Sequence, residues 1–299
     1  MIPVLWHHSD SFWDSALPKY LLNRAAVCQH FVGLENAALG ETAAIVIPGR
    51  HSTAEHDAIN RAAAFYKRVV FMVTGDEESL FRADGLKHPN KVVWYFMPPF
   101  NPKQEGVDRV CINGWPSDAP FMIHEALRRK MDYQKRDLDF SFMGQVTHQR
   151  RIDCVAAAEK ISNWSPEQRD ASLIFSTPGF TQGKSRPEYY DVMARSKLVL
   201  CPSGPCTPDS FRVAEALEAG CIPIVDDLTP NPAYRPGYWN YALGTSYLPF
   251  PLIHDWSTLP SVVSFWLKHW KANAGYCSQW WKSKLSEWVD QLREDINGR

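Results

Sequence analysis

The stretch from residue 189 to residue 227 limits the possible folds of this chain more than any other part of it. It reads YYDVMARSKLVLCPSGPCTPDSFRVAEALEAGCIPIVDD. Lys197–Cys201 is a short apolar run that predicts a buried strand, and the loop 202–208, rich in Pro and Gly, ends it. A helix is predicted to follow, and Ile222–Val225 predicts a second strand. The stretch therefore predicts a strand–loop–helix–strand unit of a parallel α/β sheet.

The loop and the helix after it have the chemistry of an anion-binding site. Asp209 or Ser210 can cap the helix, whose free N–H groups and positive dipole end attract negative charge. Open α/β sheets bind ligands at the carboxyl ends of their strands, where this loop lies. Arg212 in the first turn can bind two phosphate oxygens, and Glu215 could accept two ribose hydroxyls. An ordinary crossover with a solvated Arg–Glu pair would show the same spacing.

A longer pattern in the same stretch is typical of one enzyme family. It has the form Y-x-x-x-M-x-x-S-K-x-x-L-C-P-x-G, then S-x-R-x-x-E-A-x-x-x-G-C-I-P-I, from Tyr189 to Ile224. This pattern resembles that of the exostosin-type glycosyltransferases. The resemblance implies a GT-B fold, an α/β fold of two Rossmann-like domains facing across a cleft, with the nucleotide sugar in the C-terminal domain. The donor-binding residues implied in this stretch are Ser203, Gly204, Ser210, Phe211, Arg212 and Glu215.

A second segment is expected to contribute to the same donor site. Residues 139–151 read DFSFMGQVTHQRR, which predicts a strand ending at Gly144 and a helix beginning shortly after it. Family members carry F-x-G followed by an Arg at the start of a helix, a place that Arg151 fits slightly better than Arg150. The resemblance therefore implies that Gly144 and these arginines bind the donor diphosphate. The alternative is a solvated basic pair on the surface.

Two acidic pairs lie next to predicted strands. Asp226 and Asp227 follow a strand at its carboxyl end, and they could contact the sugar or cap the next turn. Asp137 and Asp139 form a D-x-D, the metal-binding motif of the GT-A architecture, but they precede their strand and lie away from the ligand-binding edge. In GT-B enzymes arginines and a helix dipole usually stabilise the leaving diphosphate. The resemblance thus implies no metal and no cofactor, with a nucleotide sugar, specifically a UDP-sugar, as co-substrate.

The length of 299 residues suits two α/β domains, each with its own core. The predicted domains are an acceptor-side domain 1–133, a donor-binding domain 134–265, and C-terminal helices 266–299 that pack back toward the first domain. Strands are predicted at Ile2–Trp6, Ala43–Pro48, Val69–Val73, Val92–Phe96, Arg109–Ile112, Phe140–Phe142 and Ser172–Ser176, besides those named above. Helices are predicted within 12–38 and at Thr53–Lys67, Glu77–Arg82, Phe121–Arg136, Arg150–Ser162, Leu259–Ala272 and Tyr276–Ile296.

Net charge, cysteine content and apolar runs indicate the environment in which the chain works. A net charge of −1 gives no general attraction to nucleic acid or to a membrane surface. Seven cysteines without C-x-x-C spacing predict reduced thiols. No apolar run approaches the roughly 18–20 residues that span a bilayer, and the N-terminus lacks the anchor that Golgi members of the family carry. The sequence therefore predicts a cytoplasmic enzyme of bacterial or viral origin.

The catalytic base is expected in the first domain. An inverting transfer needs a base that takes the proton of the acceptor hydroxyl as the anomeric carbon is attacked. By the carboxyl-end rule the candidates are Asp76, which is preferred, then Glu77 and His7. Asp76 comes first because the preceding Thr–Gly pair predicts a tight turn. The acidic run that ends at Glu78 would equally suit a helix N-terminus.

The sequence leaves the acceptor open between two classes. One is a saccharide, such as a surface glycan. The other is a hydroxymethylated base in viral DNA, for which a basic stretch would supply some positive charge: Arg128, Arg129, Lys130, Lys135 and Arg136. A hypothesis of another kind is a catalytically silent module that binds nucleotide sugars with the same fold.

Overall fold

Two parallel β-sheets organise the described part of the chain. The computed structural model describes residues 1–10, 13–49, 55–77, 80–97, 105–116, 119–129, 136–179 and 182–298. One unit comprises Met1–Ser117, Asn240–Thr245 and Ser283–Arg299, and the other comprises Asp118–Trp239 and Ser246–Lys282. Each unit contains one sheet, and the strand pairings described in both sheets are parallel. These are the two Rossmann-like sheets that the sequence predicts.

The sheet of the first unit has six strands in the described residues, in the order β2-β1-β3-β4-β5-β6. Their bounds are β1 Ile2–Trp6, β2 Cys28–Val32, β3 Gly40–Pro48, β4 Tyr66–Thr74, β5 Lys91–Phe96 and β6 Arg109–Cys111. The central runs 43–47 and 69–73 are fully buried, as expected for parallel strands that are covered on both faces. Helices α1 (Ala16–Ala25) and α2 (His56–Ala63) belong to this unit.

The sheet of the second unit has the order β11-β10-β9-β7-β8. Its strands are β7 Leu138–Gln145, β8 Ser172–Thr177, β9 Ser196–Cys201, β10 Ile222–Asp226 and β11 Leu252–Ile253. The remaining helices are α3 Ala119–Arg129, α4 Gln149–Ser162, α5 Pro166–Asp170, α6 Arg186–Arg195, α7 Phe211–Glu218, α8 Tyr238–Ala242, α9 Leu259–Lys268 and α10 Trp270–Asn297. The stretch that opens the sequence analysis is thus α6–β9–α7–β10; the strand, helix and strand β9, α7 and β10 are as predicted, whereas α6 is an additional helix.

The strand order reverses at one point in each sheet. In the second sheet β8 lies on one side of β7 and β9 lies on the other, so the reversal falls between β7 and β9. In the first sheet β2 and β3 flank β1 in the same way. Ligands of open α/β sheets bind outside the carboxyl ends of the strands at such a switch point. The loops after β7 and β9, and those after β1 and β3, are therefore the positions where a site is expected.

Some elements differ from the sequence prediction. The region 12–38, predicted to be helical, also contains β2, a half-exposed edge strand of sequence CQHFV that lacks the apolar alternation of a strand. The start predicted at Thr53 for α2 lies outside the described residues, and α2 ends at Ala63 because β4 begins at Tyr66. The helix predicted at 77–82 is absent from the described residues of that range: 77 lies in a turn and 80–82 are irregular.

The C-terminal helix α10 contributes residues to both units. Its residues up to Lys282 group with the second unit, whereas Ser283–Arg299 group with the first. In the first unit the Asp295 carboxylate accepts a hydrogen bond of 2.9 Å from Nε1 of Trp94 and pairs with Arg109 at 3.3 Å.

The second unit begins before α3, earlier than the predicted boundary at 133/134. Within the described part of the chain, no helix combines the length and the apolar character needed to cross a bilayer.

Arg136 is a buried structural residue of the second unit. The sequence places it in an exposed basic stretch, but its side chain is only 5% exposed. Its guanidinium donates to the carbonyl oxygens of Met193, Ser196 and Ala219, which lie at the end of α6, the start of β9 and the end of α7. Helix C-termini carry partial negative charge, so a cation is favoured there. Lys130 and Lys135 lie outside the described residues.

Candidate active site

Gly144 and Arg212 meet at the switch point of the second sheet. Nη2 of Arg212 donates to the carbonyl oxygen of Met143 at 2.9 Å, and the guanidinium lies 5.4 Å from the centre of the Phe142 ring. A Cβ atom at Gly144 would collide with Nη2 of Arg212. A side chain at Gly144, near the end of β7, would therefore displace the Arg212 guanidinium from its place over the backbone.

The other nitrogens of Arg212 lack partners. Within the described residues Nε and Nη1 are buried without a hydrogen-bond partner, and the same holds for Oγ of Ser203 in the loop after β9. Ser203 is 0% exposed. Buried polar groups are nearly always hydrogen-bonded, so unpaired donors gathered at one sheet edge indicate a place for an acceptor-rich ligand. This is the feature of the second unit that most clearly points to an anion.

Ser210 and Gly204 shape the loop that leads into α7. Oγ of Ser210 accepts from the backbone N–H of Arg212 at 3.3 Å, so Ser210 is the N-cap, one of the two predicted residues. Gly204 is buried, and a Cβ atom there would lie 3.0 Å from the carbonyl oxygen of Thr207. Phe211, the first residue of α7, is half-buried. The loop is thus folded tightly beside the N-terminus of the helix.

Arg151 joins the two loops of the switch point. Its Nε donates to the carbonyl oxygen of Ser203 at 3.0 Å, and its Nη1 donates to that of Gln145 at 3.1 Å. His148, just before α4, contacts the same Ser203 carbonyl through Nε2 at 3.1 Å. His148 is absent from the sequence-based set; its position between the strand end and the predicted helix is the signal that would have indicated it. Arg151, and not Arg150, therefore lies against the loop after β9.

Arg150 forms a buried ion pair with Asp226. Nε and Nη2 of Arg150 both donate to the Asp226 carboxylate. This carboxylate is 0% exposed and also accepts a hydrogen bond from Nε1 of Trp256 at 3.1 Å. A further nitrogen of Arg150 donates to the carbonyl oxygen of His254 at 3.0 Å. These contacts weigh against two sequence-based predictions, the donor contact of Arg150 and the sugar contact of Asp226, because Arg150 is paired with a carboxylate and both Asp226 oxygens already accept hydrogen bonds. Both stay predictions.

Asp227 differs from its neighbour. Its Oδ2 accepts from the backbone N–H of Gly237 at 2.7 Å, but its Oδ1 is buried without a hydrogen-bond partner in the described residues. Burial raises the pKa of Asp227, with the N–H of Gly237 acting in the opposite direction. An unpaired acceptor next to a strand's carboxyl end suits a ligand hydroxyl. The predicted sugar contact of Asp227 stays a prediction.

Glu215 is held by two tyrosines. Its Oε1 accepts from the hydroxyl of Tyr190 and its Oε2 from that of Tyr189, both at 2.8 Å, and the residue is only 4% exposed. Burial raises the pKa of Glu215, against the lowering effect of the tyrosine hydroxyls and of Arg212. The ribose contact proposed for Glu215 stays a prediction, and it would require ribose hydroxyls to share these oxygens with the tyrosines.

Replacing Glu215 by Gln tests the state of this carboxyl group. Because burial raises the pKa of Glu215, folding favours the protonated carboxyl group. The resulting contribution to folding stability is fully present below the unfolded-state pKa of 4.5 and is lost as the pH rises through the folded-state pKa. The stability advantage of the wild type over Glu215→Gln is therefore expected to shrink from pH 4.5 upward, by about 1.4 kcal/mol per unit of pKa difference. Thermal unfolding across this range measures it, and an advantage that grows with pH would contradict the sign.

Asp76 in the first unit is enclosed. It is 2% exposed, and its carboxylate accepts from the backbone N–H groups of Leu80 (2.8 Å) and Phe81 (2.9 Å) and from the hydroxyl of Tyr95. These three donors enclose the carboxylate and make Asp76 a weaker candidate for the base than its sequence position suggests, so the assignment stays a prediction. Glu77 is half-buried in the adjacent turn, and Glu78 lies outside the described residues.

His7 lies at the switch point of the first sheet. Its backbone N–H donates to the carbonyl oxygen of Val46 at 3.0 Å, which extends the pairing of β1 with β3. Nδ1 of His7 lies 4.0 Å from Oε2 of Glu55, and Nε2 of His8 lies 3.5 Å from its Oε1. Ligand atoms of these three side chains lie within 4.8 Å of one another, the one such His, Cys, Asp or Glu group found among the described residues that could hold a metal ion.

The D-x-D motif is engaged in ion pairs. Asp137 pairs with Arg195, and Asp139 lies 2.6 Å from Nζ of Lys197. Both carboxylates precede or begin β7, at the amino end of the sheet, as predicted. They therefore lie away from the edge at which the loops of the switch point meet.

Two units, each with one parallel sheet and a switch point, form the α/β architecture of the GT-B fold class. The chain belongs to the family described as the RXYLT1 C-terminal domain, whose model matches residues 134–299. This is an exostosin-like glycosyltransferase family, so the resemblance drawn from residues 189–224 is confirmed. The chain is accordingly a member of a glycosyltransferase family.

Solved structures agree with the fold. The chain is similar to Anabaena HepE in complex with UDP, at a TM-score of 0.56 and 10% sequence identity, over 100% of both chains. It is also similar to the structures of HepE with UDP-glucose and with UDP and glucose, each at a TM-score of 0.53 and 10% identity over 100% of both chains. At this identity the likeness concerns the fold.

Proposed function

We propose that this chain transfers a sugar from a UDP-sugar to an acceptor hydroxyl and that its second unit binds the donor diphosphate. The observation that carries the proposal is the set of buried, unpartnered donors at the β7/β9 switch point, Nε and Nη1 of Arg212 and Oγ of Ser203. A diphosphate supplies the acceptor oxygens and the negative charge that these groups lack. The UDP and UDP-glucose bound to HepE, which has a similar fold, support the choice of nucleotide.

The arginines stabilise the leaving group. As the bond between the sugar and the diphosphate breaks, its electron pair leaves on a phosphate oxygen. Arg212, Arg151 and the N-terminus of α7 offset that charge with groups that are already fixed, by Met143 and Ser203 among others. Donors that are fixed in advance need no reorganisation during the reaction, which is why this electrostatic contribution is large. Residues Gly144, Ser203, Gly204, Ser210 and Phe211 complete the donor-binding set.

The reaction is proposed to need no metal ion. Arg212 and Arg151 carry the positive charge that a divalent ion would otherwise place beside the diphosphate. Turnover in excess EDTA is therefore expected to equal turnover in added Mg²⁺ or Mn²⁺ within about twofold, a difference of about 0.4 kcal/mol in the barrier. Initial rates with and without chelator measure this. Loss of turnover in EDTA that Mn²⁺ restores would show that a metal is required.

The transfer is proposed to invert the anomeric centre, with His7 as the base. The acceptor oxygen attacks the anomeric carbon, the bond to the UDP oxygen breaks, and the hydroxyl proton passes to His7. The Glu55 carboxylate, 4.0 Å from Nδ1 of His7, can stabilise the imidazolium that forms. His7 replaces Asp76 in this role because the Asp76 carboxylate is enclosed by three donors.

Replacing His7 by Asn is expected to lower turnover about a hundredfold, the usual contribution of a general base, and to leave UDP affinity within twofold. Initial rates and calorimetry with UDP separate the two effects. His269→Asn, at an exposed histidine of the second unit, is the matched control and should match the wild type. Asp76→Asn should lower stability and leave the turnover of the folded enzyme near normal. A selective loss of turnover in Asp76→Asn, with His7→Asn active, would reverse the assignment.

The acceptor is proposed to be a saccharide, such as a surface glycan. The alternative, a hydroxymethylated base in viral DNA, is weakened because Arg136 of the basic stretch is buried among carbonyl groups. Binding to duplex DNA that falls steeply with salt would favour that alternative. A silent binding module would bind UDP-sugars but would not hydrolyse them in the absence of an acceptor.

A thermal-shift panel of nucleotide-diphosphate sugars tests the proposed function. A ligand that binds only the folded state at a hundredfold excess over its Kd stabilises it by about 2.7 kcal/mol. UDP and at least one UDP-sugar are expected to raise Tm, whereas ADP and GDP raise it less. Slow release of UDP from that UDP-sugar without acceptor then shows an active transferase. A panel in which no uridine nucleotide raises Tm would contradict the proposal.

A further inference from the structure

His148 is a half-buried histidine at the candidate donor site that the proposed chemistry does not yet use. It precedes α4 and contacts the Ser203 carbonyl oxygen through Nε2 at 3.1 Å. Nε of Arg151 donates to the same oxygen at 3.0 Å. The residue that carries this carbonyl also carries the unpartnered Oγ assigned to the diphosphate. His148 therefore shares a hydrogen-bond acceptor with Arg151 and contacts Ser203, two residues that are proposed to bind the diphosphate.

The contact with a carbonyl oxygen fixes the tautomer of the ring. A carbonyl oxygen only accepts, so Nε2 of His148 must carry the hydrogen and donate it. In the neutral ring Nδ1 is then an unprotonated acceptor. Nδ1 is buried and has no hydrogen-bond partner in the described residues. A second proton on the ring would turn this unsatisfied acceptor into a charged donor.

The charges around His148 keep the ring neutral in the free protein. Burial lowers the pKa of His148, and the neighbouring Arg151 lowers it further. The Ser203 carbonyl and Asp226 act in the opposite direction, and Arg150 lowers it again. The carboxylate of Asp226 is itself neutralised by Arg150, so the surroundings of the ring are on balance cationic. An added anion would reverse that balance.

We propose that His148 takes up one proton when the donor diphosphate binds and that its Nδ1–H then donates to a phosphate oxygen. The inference rests on the proposed function, since it places the diphosphate beside Ser203 and Arg212. The proton comes from the solvent, and no bond other than N–H forms. The imidazolium adds a positive charge beside the leaving diphosphate, and the proton returns to solvent when UDP departs. Nucleotide affinity is therefore coupled to pH.

The sign of the coupling follows from linkage. Below the pKa that His148 has in the free protein, the ring is already charged before UDP binds. Above the pKa that it has in the complex, the ring is neutral in both states. Between the two limits each unit of pH rise weakens UDP binding, by up to about tenfold. A structural histidine that merely bonds the Ser203 carbonyl would show no such slope.

Calorimetric titration with UDP tests the proposal. At pH 7.5 the heat is measured in PIPES and in Tris, whose ionisation enthalpies differ, so that the difference gives the number of protons taken up. UDP itself is fully ionised at this pH, since a second phosphate pKa lies near 6, and a cationic site does not add a proton to it. The wild type is expected to take up roughly half a proton or more on binding.

His148→Asn is expected to bind UDP more weakly, with uptake near zero and an affinity that no longer varies above about pH 7.5, where UDP itself is fully ionised. His269→Asn, at an exposed histidine of the same unit, should retain the uptake of the wild type. If His148→Asn does not fold, absence of proton uptake by the wild type alone overturns the proposal. UDP binding without uptake, or uptake that persists in His148→Asn, overturns this inference and leaves the proposed function intact. Failure of the wild type to bind UDP overturns both.

Discussion

Replacing Arg212 by alanine is expected to lower turnover about 10²–10³-fold and to weaken UDP binding by about 2–5 kcal/mol. The side chain reaches the switch point through a hydrogen bond to the Met143 carbonyl, over the glycine that ends β7. Its two unpartnered nitrogens are the groups that a diphosphate would satisfy. Alanine removes both the positive charge and the neighbouring N–H donors of the guanidinium, so UDP affinity and turnover should fall together. Calorimetry with UDP and initial rates measure the two losses.

Two further variants separate this effect from misfolding. Arg212→Lys keeps the charge but loses the paired donors, so it should recover part of the affinity and little of the turnover. Arg235→Ala removes an exposed arginine of the same unit and should match the wild type. Thermal unfolding of each variant shows whether the nearby buried Glu215 tolerates the change. UDP affinity unchanged in a folded Arg212→Ala protein would be incompatible with the proposed donor site.

Replacing Arg136 by methionine is expected to destabilise the second unit by about 3–5 kcal/mol, the usual cost of breaking a buried charged network. The guanidinium satisfies carbonyl oxygens of Met193, Ser196 and Ala219, and methionine offers no donor to any of them. Each buried carbonyl left unpaired costs about 1–3 kcal/mol. The Tm of the protein should therefore fall by roughly 10 °C, given the size of this unit.

Arg128→Met is the matched control for Arg136. Arg128 is exposed on α3, so its loss should change stability by no more than about 0.5 kcal/mol. Arg136→Lys should lie between the two, because one ammonium can reach some but not all of the carbonyls. Equal Tm values for Arg136→Met and Arg128→Met would show that the buried guanidinium contributes nothing to stability.

The donor half of the site is the part that the sequence predicts best. Local signals indicate β9, the loop and α7 directly. They are an apolar run, a Pro–Gly loop, a capping serine and an arginine in the first turn of a helix. The family pattern adds specificity to the same residues. The preference for Arg151 over Arg150 also comes from the family pattern and not from a local signal.

What short sequence patterns do not predict depends on contacts that form only in the tertiary fold. Asp76 looks like an exposed turn residue until Tyr95 and the N–H groups of Leu80 and Phe81 close around it. Arg136 looks like part of a solvated basic stretch until helix ends converge on it. Long-range pairing also creates β2, whose own residues do not indicate a strand. Such contacts depend on the tertiary fold, which no short pattern encodes.

A crystal structure of the wild-type protein with UDP tests the central claim most directly. We expect the diphosphate outside the carboxyl ends of β7 and β9, with phosphate oxygens at hydrogen-bond distance, about 2.7–3.2 Å, from the unpartnered nitrogens of Arg212 and from Oγ of Ser203. A nucleotide bound elsewhere in the second unit, with Arg212 and Ser203 still unpartnered, would contradict the assignment of the donor site.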